Sequence, residues 1–475
     1  MIQSVEDRLS AALRDLRPAI PYSGRRGASQ PLATRMAELC SPGVSVAVVD
    51  DFDVTMVRGI GTRAHGTAAE INAGTPFQAA SISKTVFALA VMRLVQDGIL
   101  NLDENVNAYL KSWHVPKNDG WNPFITLRQL LSHTAGTTVH GFMGYPANGP
   151  LPTLRQTLQG EPPANSPPVV VDMLPGFQCR YSGGGTTIAQ QAVVDVLAKS
   201  FPSLMRELVL DPLRLADSTF EQPLPTSMAT RAAIGHRWSF EQVPGGWHVY
   251  PEMAAAGLWT NAGDLARLGS DLLRALRGEK SALGLTRATV LSMLQPQLPD
   301  QKIGQPFYGL GWSCNNKDDH FHFGHRGWNE GFLAELRLLP ALGKGAVVMI
   351  NSNQGWPLLG ETLEAIGREY EWPTAQNPDS MIEPRVTADY SGAYRSQSGI
   401  LLRVESGAGG LSLQTRHQPP LPLARTSETE FFTTALNLHV QFERADDGQV
   451  VCLTLNQGGE RVRFIRESER GLPAL

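Results

Sequence analysis

The amino-acid sequence predicts an α/β protein of the α+β type. An antiparallel sheet is flanked by helices, a mostly helical subdomain lies beside it, and a small all-β barrel follows. Apolar strand patterns near residues 43–59 and 332–351 enclose a long stretch of helical patterns. Strands so far apart in the chain bury their apolar faces by joining one sheet. After residue 386 only short strands separated by glycines and acidic turns remain, which is typical of a barrel or sandwich.

The chain opens with a helix and a strand hairpin. The helix is predicted to end before Pro18 and rests on apolar residues at helical spacing, namely Val5, Leu9, Ala12, Leu13 and Leu16. Residues 43–50 are predicted to form a buried strand, and residues 54–59 its partner across a short turn. No charged-then-apolar signal segment precedes the helix, so we expect a cytoplasmic protein.

A buried helix is predicted to begin in the stretch Phe77-Gln-Ala-Ala-Ser-Ile-Ser-Lys-Thr, because residues 86–95 are apolar nearly all round. Ser81 would lie in its first turn, where free N–H groups and the helix macrodipole favour negative charge. Lys84 lies three residues on and projects from the same face. A hydroxyl at a positive helix end with an amine beside it is the geometry of an activated nucleophile. The alternative is a Ser81 helix cap and a solvated lysine.

The middle of the first domain is predicted to be mostly helical from residue 100 onward. Helical patterns recur in three further stretches, at residues 126–131, 186–197 and 262–276. Residues 137–178 interrupt them, because eight prolines and several glycines make this a long irregular excursion. Such segments often form lids or binding loops.

Two antiparallel strands within residues 332–351 and a helix at 358–370 are predicted to end the first domain. We therefore place that domain at 1–372, an interdomain linker at 373–385 and the barrel domain at 386–475. Six strands are predicted in the barrel domain, at residues 401–405, 411–415, 431–433, 438–442, 450–455 and 462–465.

Composition narrows the function. The formal net charge of −4 over 475 residues gives no electrostatic case for nucleic acid as a partner. No apolar stretch approaches the length of a membrane-spanning helix, so no membrane partner is expected. The four cysteines match neither a disulfide framework nor a zinc pattern, and we expect reduced thiols; they are Cys40, Cys179, Cys314 and Cys452. No cofactor or metal is predicted.

Two further stretches carry chemically useful residues. Cys179-Arg-Tyr-Ser-Gly-Gly-Gly places Tyr181 at the mouth of a helix, where a nearby ammonium would lower the pKa of its phenol and make it a proton acceptor. Phe323-Gly-His-Arg-Gly-Trp-Asn is a strand interrupted by glycine, and Gly327 would let another group approach the backbone closely. The run Leu130-Leu-Ser-His-Thr-Ala-Gly ends a helix with small residues, which indicates packing more than catalysis.

Together and in this order, these stretches resemble the serine β-lactamase-like superfamily, which includes class C β-lactamases, DD-peptidases and related esterases and amidases. Ser81-Ile-Ser-Lys84 is similar to the family's Ser-x-x-Lys motif, Tyr181-Ser-Gly183 to its Tyr-x-Asn element, and His325-Arg-Gly327 to its Lys-Thr-Gly strand in the His-x-Gly form. The resemblance spans about residues 37 to 370, and the segment 386–475 resembles the lipocalin-like barrel that some members carry.

The resemblance implies a role for each residue. Ser81 is the nucleophile, and Lys84, desolvated against its helix, takes the serine proton. Tyr181 shares that duty and later protonates the leaving group. The backbone N–H groups of Ser81 and Trp328 form the oxyanion hole. His325 hydrogen-bonds near Tyr181 or the substrate, and Arg326, Gly327 and Gly183 are expected beside it as substrate-binding positions.

Two departures from the family pattern shape the expected specificity. Gly183 stands where asparagine often positions the substrate amide, and His325 stands where β-lactamases have a lysine charge. Arg326 would restore a carboxylate anchor if its side chain reached the pocket; the sequence leaves its direction open, and Gly327 lies beside it. We expect a serine hydrolase that acts on an ester or amide of a small molecule or peptide, with weak or no β-lactamase activity.

Alternatives remain at this point. An acyl transferase or peptide-cyclising member would pass the acyl group to an amine or alcohol, a β-lactamase would open a lactam, and a sensor would stay acylated. His320 and His322 share a strand face and would ligate zinc only with help from elsewhere. The nucleophile elbow Gly-x-Ser-x-Gly is absent, which argues against an α/β-hydrolase. The oligomeric state stays open.

Overall fold

The computed structural model describes most of the chain, in segments separated by short gaps. These segments are residues 5–17, 29–298, 306–317, 320–373, 388–396, 399–407, 410–415, 420–425, 428–433, 438–445, 447–457 and 460–467. The chain divides into two compact units, residues 1–13 with 32–373, and residues 14–31 with 374–475. The sequence prediction placed residues 14–31 in the first domain. Beyond Pro373, the predicted linker lies outside the described residues.

The first unit is built around a seven-stranded sheet with the order β2-β1-β11-β10-β9-β8-β7. Its strands, together with four two-residue strands outside the sheet, are β1 (Gly43–Asp50), β2 (Asp53–Gly61), β3 (Phe77–Gln78), β4 (Tyr145–Pro146), β5 (His248–Val249), β6 (Trp259–Thr260), β7 (Phe307–Tyr308), β8 (Ser313–Lys317), β9 (His320–Asn329), β10 (Phe332–Leu339) and β11 (Lys344–Ile350). The early hairpin meets the late one where β1 pairs antiparallel with β11, as the sequence predicted.

Helices cover both faces of this sheet. They are α1 (Val5–Ala12), α2 (Leu32–Glu38), α3 (Ile82–Gln96), α4 (Leu127–Leu131), α5 (Leu154–Gln159), α6 (Gly183–Leu197), α7 (Phe201–Met205), α8 (Thr226–Ala229), α9 (Met253–Ala256), α10 (Ala262–Arg277), α11 (Arg287–Met293) and α12 (Trp356–Glu369). In the part of the chain that the structure describes, no helix has both the length and the apolar character needed to cross a membrane.

Two neighbouring residues of β10 show how the sheet is enclosed. Leu338 packs on Gly269 in the middle of α10. Its neighbour Arg337 donates to Glu364 of α12 at 2.9 Å. Successive strand residues point to opposite faces, so α10 and α12 lie on opposite sides of the sheet. The prediction of an antiparallel sheet flanked by helices is confirmed.

The predicted helical region after residue 100 is wrong in its first part. Leu102, Val106 and Leu110 are buried at a spacing of four, but only a short 3-10 turn at Val106–Ala108 forms there. The Asn101 and Asn105 side chains accept backbone N–H groups two residues ahead, at 2.9 and 3.0 Å. Such local bonds compete with the helical ladder, so the apolar residues are buried without a helix.

The excursion at residues 137–178 is largely irregular, as predicted. It contains one short strand, β4, and one short helix, α5. Thr153 and Gln156 form a reciprocal capping box at the start of α5, which satisfies free backbone donors at that end. The excursion is tied down by the pairing of β4 with β5 and by a bridge between Thr137 and Val171.

The second unit contains a closed eight-stranded barrel. Its strands are β12 (Gly392–Ser396), β13 (Leu401–Gly407), β14 (Gly410–Thr415), β15 (Leu421–Arg425), β16 (Glu430–Thr433), β17 (Leu438–Arg444), β18 (Val450–Gln457) and β19 (Glu460–Arg466). The predicted six are present, and β12 and β15 were missed. Gly392 and Pro422 weaken the strand signal of these two segments. Tyr390, Tyr394, Phe431 and Phe442 are among the residues of the barrel core.

We expect a protein that ends at Pro373 to fold, because the apolar core of the first unit and that of the barrel have no residue in common. Circular dichroism and a cooperative thermal transition would measure this. A matched variant that keeps the full length but carries Phe431→Ala should lose barrel stability, since large-to-small core changes cost about 3–5 kcal/mol. An insoluble product from the shortened chain would contradict the expectation.

Candidate active site

Ser81 lies at the junction between β3 and α3, and the backbone before it is strained. Ala79 donates its N–H to Leu258 at 2.9 Å, and Ala80 adopts the left-handed region with φ of 49°. This conformation is unfavourable for a residue with a Cβ, and such strain concentrates at functional sites. Ser81 makes no side-chain cap to α3, so the alternative of a simple helix cap does not describe it.

Lys84 points at Ser81 from one turn along α3. Its Nζ lies 3.1 Å from Ser81 Oγ and 2.7 Å from the carbonyl oxygen of Ala255. The side chain is buried, with 4% of the residue exposed. Burial penalises the charged amine and lowers the pKa of Lys84 to about 7. At neutral pH a large share of the amine is therefore uncharged and able to accept a proton.

Tyr181 precedes α6 and faces the same amine, with its ring centroid 5.0 Å from Lys84 Nζ. Burial raises the pKa of the Tyr181 phenol, and its hydrogen bond with Ser81 acts in the opposite direction. The expectation that a nearby ammonium lowers this pKa is therefore wrong. Burial penalises the charged form of each group. It therefore raises the pKa of Tyr181 and lowers the pKa of Lys84. In the resting site the phenol is protonated, and Lys84 is the stronger candidate for the base.

The two faces of β9 decide which of its residues belong to the site. His325, Gly327 and Asn329 are buried, whereas Arg326 and Trp328 between them are exposed. Arg326 donates through Nε to Glu335 at 2.7 Å, on the face turned away from His325. The expectation that Arg326 binds substrate is therefore corrected: it forms an ion pair behind the strand.

Glu335 is the buried partner of two arginines in that pair. Burial raises the pKa of its carboxyl, but Arg326 and Arg337 outweigh this and hold the pKa at about 2. Arg337 also donates to Glu364 of α12. Opposite charges at hydrogen-bond distance keep both groups ionised in a buried setting. Arg326 is thus committed to a charge network that fixes β9.

Gly327 brings β9 against the residues that precede Ser81. A Cβ at this position would lie 2.2 Å from the carbonyl oxygen of Ala79, so only glycine fits. The predicted close approach is present: because Gly327 has no side chain, β9 can lie directly against the backbone of Ala79. Strand β8 pairs with β9 only as far as Gly324, so after that residue the edge of β9 that faces away from β10 has no described strand beside it. The Ser81 N–H likewise has no backbone acceptor in the described chain. Both features suit an oxyanion hole formed by the N–H groups of Ser81 and Trp328.

His325 is buried with one nitrogen committed. Its Nδ1 lies 2.6 Å from the carbonyl oxygen of Arg326, so this nitrogen carries the proton and donates. Its Nε2 is buried without a hydrogen-bond partner in the described part of the chain. Burial and then the Lys84 charge lower the pKa of His325 to about 4. At pH 7 the ring is neutral and offers Nε2 as an acceptor.

Gly183 opens α6 and is covered by part of the excursion. Its N–H donates to the His140 carbonyl at 2.9 Å. A Cβ on Gly183 would lie 3.1 Å from the Phe142 ring and 3.2 Å from the same carbonyl. The expectation that Gly183 binds substrate is corrected, because residues 140–142 cover it.

Aromatic and imidazole rings surround Tyr181. The ring centroids of His133, His140 and Tyr308 lie 4.3, 4.9 and 5.6 Å from that of Tyr181. The sequence analysis named none of the three as a site residue. It treated the segment around His133 as packing, and it placed His140 only in a possible lid or binding loop. For His133 the signals were its place directly after a predicted helix end and within one of the stretches that carry the family resemblance. No signal marked Tyr308.

The zinc alternative finds no support in the described residues. His320 is exposed and His322 is half-buried. Within the described segments, no group of three or more histidine, cysteine, aspartate or glutamate side chains is arranged to hold a metal ion. The neighbouring residues Asp318 and Asp319 lie outside the described segments.

Comparison with known proteins agrees with this geometry. Residues 30–369 match the sequence profile of the Beta-lactamase family. The chain belongs to the beta-lactamase family. Members of this family are generally serine hydrolases. Among curated relatives, "Unguisins hydrolase ungD" of Aspergillus violaceofuscus is 26% identical over 342 residues, which cover 66% of this chain and 58% of that protein. The chain spans less than two thirds of the length of the first curated relatives that it matches.

Solved structures share the fold of this family member. The octameric penicillin-binding protein homologue from Pyrococcus abyssi has a TM-score of 0.60 at 21% identity, covering 92% of this chain and 98% of that one. The crystal structure of SurE with D-Leu also has a TM-score of 0.60, at 24% identity, and covers 92% of this chain and 97% of that one. At these identities the likeness establishes the fold.

We expect kcat/KM for an activated ester to rise with pH through a midpoint near 7, because the free amine of Lys84, with a pKa of about 7, is the form that accepts a proton. A pH–rate profile would measure this. Tyr181→Phe serves as the control, since it should lower the plateau and leave the midpoint in place. A midpoint near 4 would assign the limb to His325 instead.

Proposed function

We propose that this protein is a serine hydrolase that cleaves an ester or amide through an acyl-enzyme on Ser81. One observation carries the proposal: Lys84 Nζ lies 3.1 Å from Ser81 Oγ on a side chain that is almost fully buried. Burial brings the pKa of this amine to about 7, which suits a general base at neutral pH. Membership of the beta-lactamase family supports the same chemistry.

Acylation begins when the uncharged Lys84 amine takes the proton of the Ser81 hydroxyl. The serine oxygen then attacks the substrate carbonyl carbon and forms a tetrahedral oxyanion. The N–H groups of Ser81 and Trp328 stabilise that negative charge. As the bond to the leaving group breaks, the Tyr181 phenol delivers a proton to the departing oxygen or nitrogen and recovers one from Lys84.

Deacylation repeats these steps with water in place of the serine. The uncharged Lys84 amine, assisted by Tyr181, removes a proton from water, and the resulting oxygen nucleophile attacks the acyl carbonyl. Collapse of the second tetrahedral species expels the serine oxygen, which regains its proton. The products are a carboxylic acid and free Ser81. An amine or alcohol that replaces water at this step would give acyl transfer instead.

The charges around the site favour neutral acyl groups. His325 is uncharged at pH 7, because its pKa is about 4. Arg326 is engaged with Glu335 on the other face of β9. These two positions therefore provide no cation for a substrate carboxylate, which disfavours β-lactams. We propose small esters or peptide-like amides as substrates, and a curated relative is likewise named as a hydrolase.

Ser81→Ala should abolish turnover of p-nitrophenyl esters, since loss of a nucleophile commonly costs several orders of magnitude, on the order of 10⁶ in one studied enzyme. A fluorophosphonate probe should modify Ser81 in the wild-type protein, as measured by mass spectrometry of the peptides. Ser83→Ala is a matched control, because Ser83 is buried two residues away and hydrogen-bonds the Ala80 carbonyl. Turnover at the wild-type rate in Ser81→Ala would disprove the proposal.

Short-chain aryl esters should be cleaved with a higher kcat/KM than cephalosporins. One missing charge-assisted hydrogen bond corresponds to about 1.5–3 kcal/mol, or roughly ten- to a hundredfold. A panel of aryl esters, D-amino acid amides and a chromogenic cephalosporin would measure the ratio, with an added amine to detect acyl transfer. Efficient cephalosporin hydrolysis with negligible ester cleavage would instead indicate a β-lactamase.

A further inference from the structure

One buried histidine outside the proposed reaction steps holds both neighbours of Tyr181. The N–H of Arg180 donates to the His133 carbonyl at 2.7 Å. The N–H of Ser182 donates to His133 Nδ1 at 3.2 Å. The imidazole ring also lies against the phenol, with 4.3 Å between the ring centroids. The residue before Tyr181, the residue after it and its own ring are therefore all fixed by His133.

His133 is itself held rigidly. It adopts a left-handed backbone conformation with φ of 60°, and it is 4% exposed. It follows α4, whose N-terminus carries a capping box between Thr126 and Gln129. The next residue, Thr134, donates its N–H back to the Gln129 carbonyl at 2.8 Å. The backbone that carries the imidazole is thereby held against the end of α4.

The protonation state of the ring suits this contact. A nitrogen that accepts from a backbone N–H carries no proton, so the Ser182 contact requires an unprotonated Nδ1. Burial, and then the charges of Lys84 and His325, lower the pKa of His133 well below its usual value. The ring is therefore neutral at the pH where the Lys84 amine is free.

We propose that His133 is a positioning residue that holds the Tyr181 phenol beside Ser81 and Lys84. The inference rests on the proposed function, because Tyr181 matters to the reaction only as a proton carrier. The three contacts act at once on a short segment that leads into α6. Without them, the phenol would lose its fixed place relative to Ser81, with which it forms a hydrogen bond. Proton transfer depends steeply on such geometry.

Two substitutions separate the ring contact from the backbone conformation. Glycine and asparagine both tolerate a positive φ, so neither variant adds strain at position 133. His133→Asn keeps an acceptor oxygen close to the position of Nδ1, whereas His133→Gly removes it. We expect His133→Gly to lower kcat on an aryl ester by on the order of 10²-fold with little change in KM, and His133→Asn to restore most of that loss.

A double-variant cycle tests whether His133 acts through Tyr181. If it does, adding His133→Gly to Tyr181→Phe should cost no further activity, because the two effects share one route. A merely structural loss would add to the effect of Tyr181→Phe and lower the melting temperature in proportion. Thermal melting of all four proteins therefore accompanies the kinetics.

The rate of Ser81 labelling by a fluorophosphonate distinguishes failure of this inference from failure of the proposed hydrolysis. Labelled wild-type protein that turns over no ester would refute hydrolysis, while the labelling rates of the variants would still judge His133. A folded His133→Gly protein with wild-type rates would overturn the inference. If the His133→Gly protein does not fold, the test rests on His133→Asn. A loss of kcat in His133→Asn as large as that in Tyr181→Phe would then overturn the inference.

Discussion

The burial of the Lys84 amine is the constraint on which the rest of the site depends. Removing an ammonium from water is costly unless it is paired or loses its charge. No carboxylate pairs with it among the described salt bridges, and its two hydrogen-bond partners are Ser81 Oγ and the Ala255 carbonyl. The amine therefore gives up its proton near neutral pH. The same low-dielectric surroundings keep His325 uncharged and Tyr181 protonated, so one physical cause sets the charge state of all three groups.

Close backbone contact, rather than side-chain chemistry, brings the parts of the site together. Ala80 is held in a left-handed conformation just before Ser81, and Gly327 allows β9 to press on the carbonyl of Ala79. Behind β9, Arg326 and Arg337 pair with the buried Glu335, and the resulting ionic network reaches α12. The strand is thus fixed on one face by packing at hard-sphere distance and on the other by charge.

The sequence was sufficient where the relevant geometry is local. Ser81 and Lys84 lie three residues apart on one helix, and helical spacing alone puts them together. The meeting of the early and late strands in one sheet followed from apolar faces that had to share a core. Features set by distant parts of the chain were not predictable: the face chosen by Arg326 depends on Glu335, and the space at Gly183 depends on Phe142. The sign of the Tyr181 shift was missed because the sequence indicates neighbours but not the depth of burial. The contacts of His133 were missed because they join it to residues 180–182, which are distant in the sequence.

Closure of the barrel has a consequence for how this protein meets other chains. Because β12 pairs with β19, the described barrel strands close on themselves, and each has a hydrogen-bonded neighbour on both sides. In the described part of the first unit, the large sheet ends at β2 and β7. Exposed strand edges are where unwanted sheet growth begins. In the native state, the borders of the large sheet at β2 and β7 are therefore more open to such growth than the strands of the closed barrel.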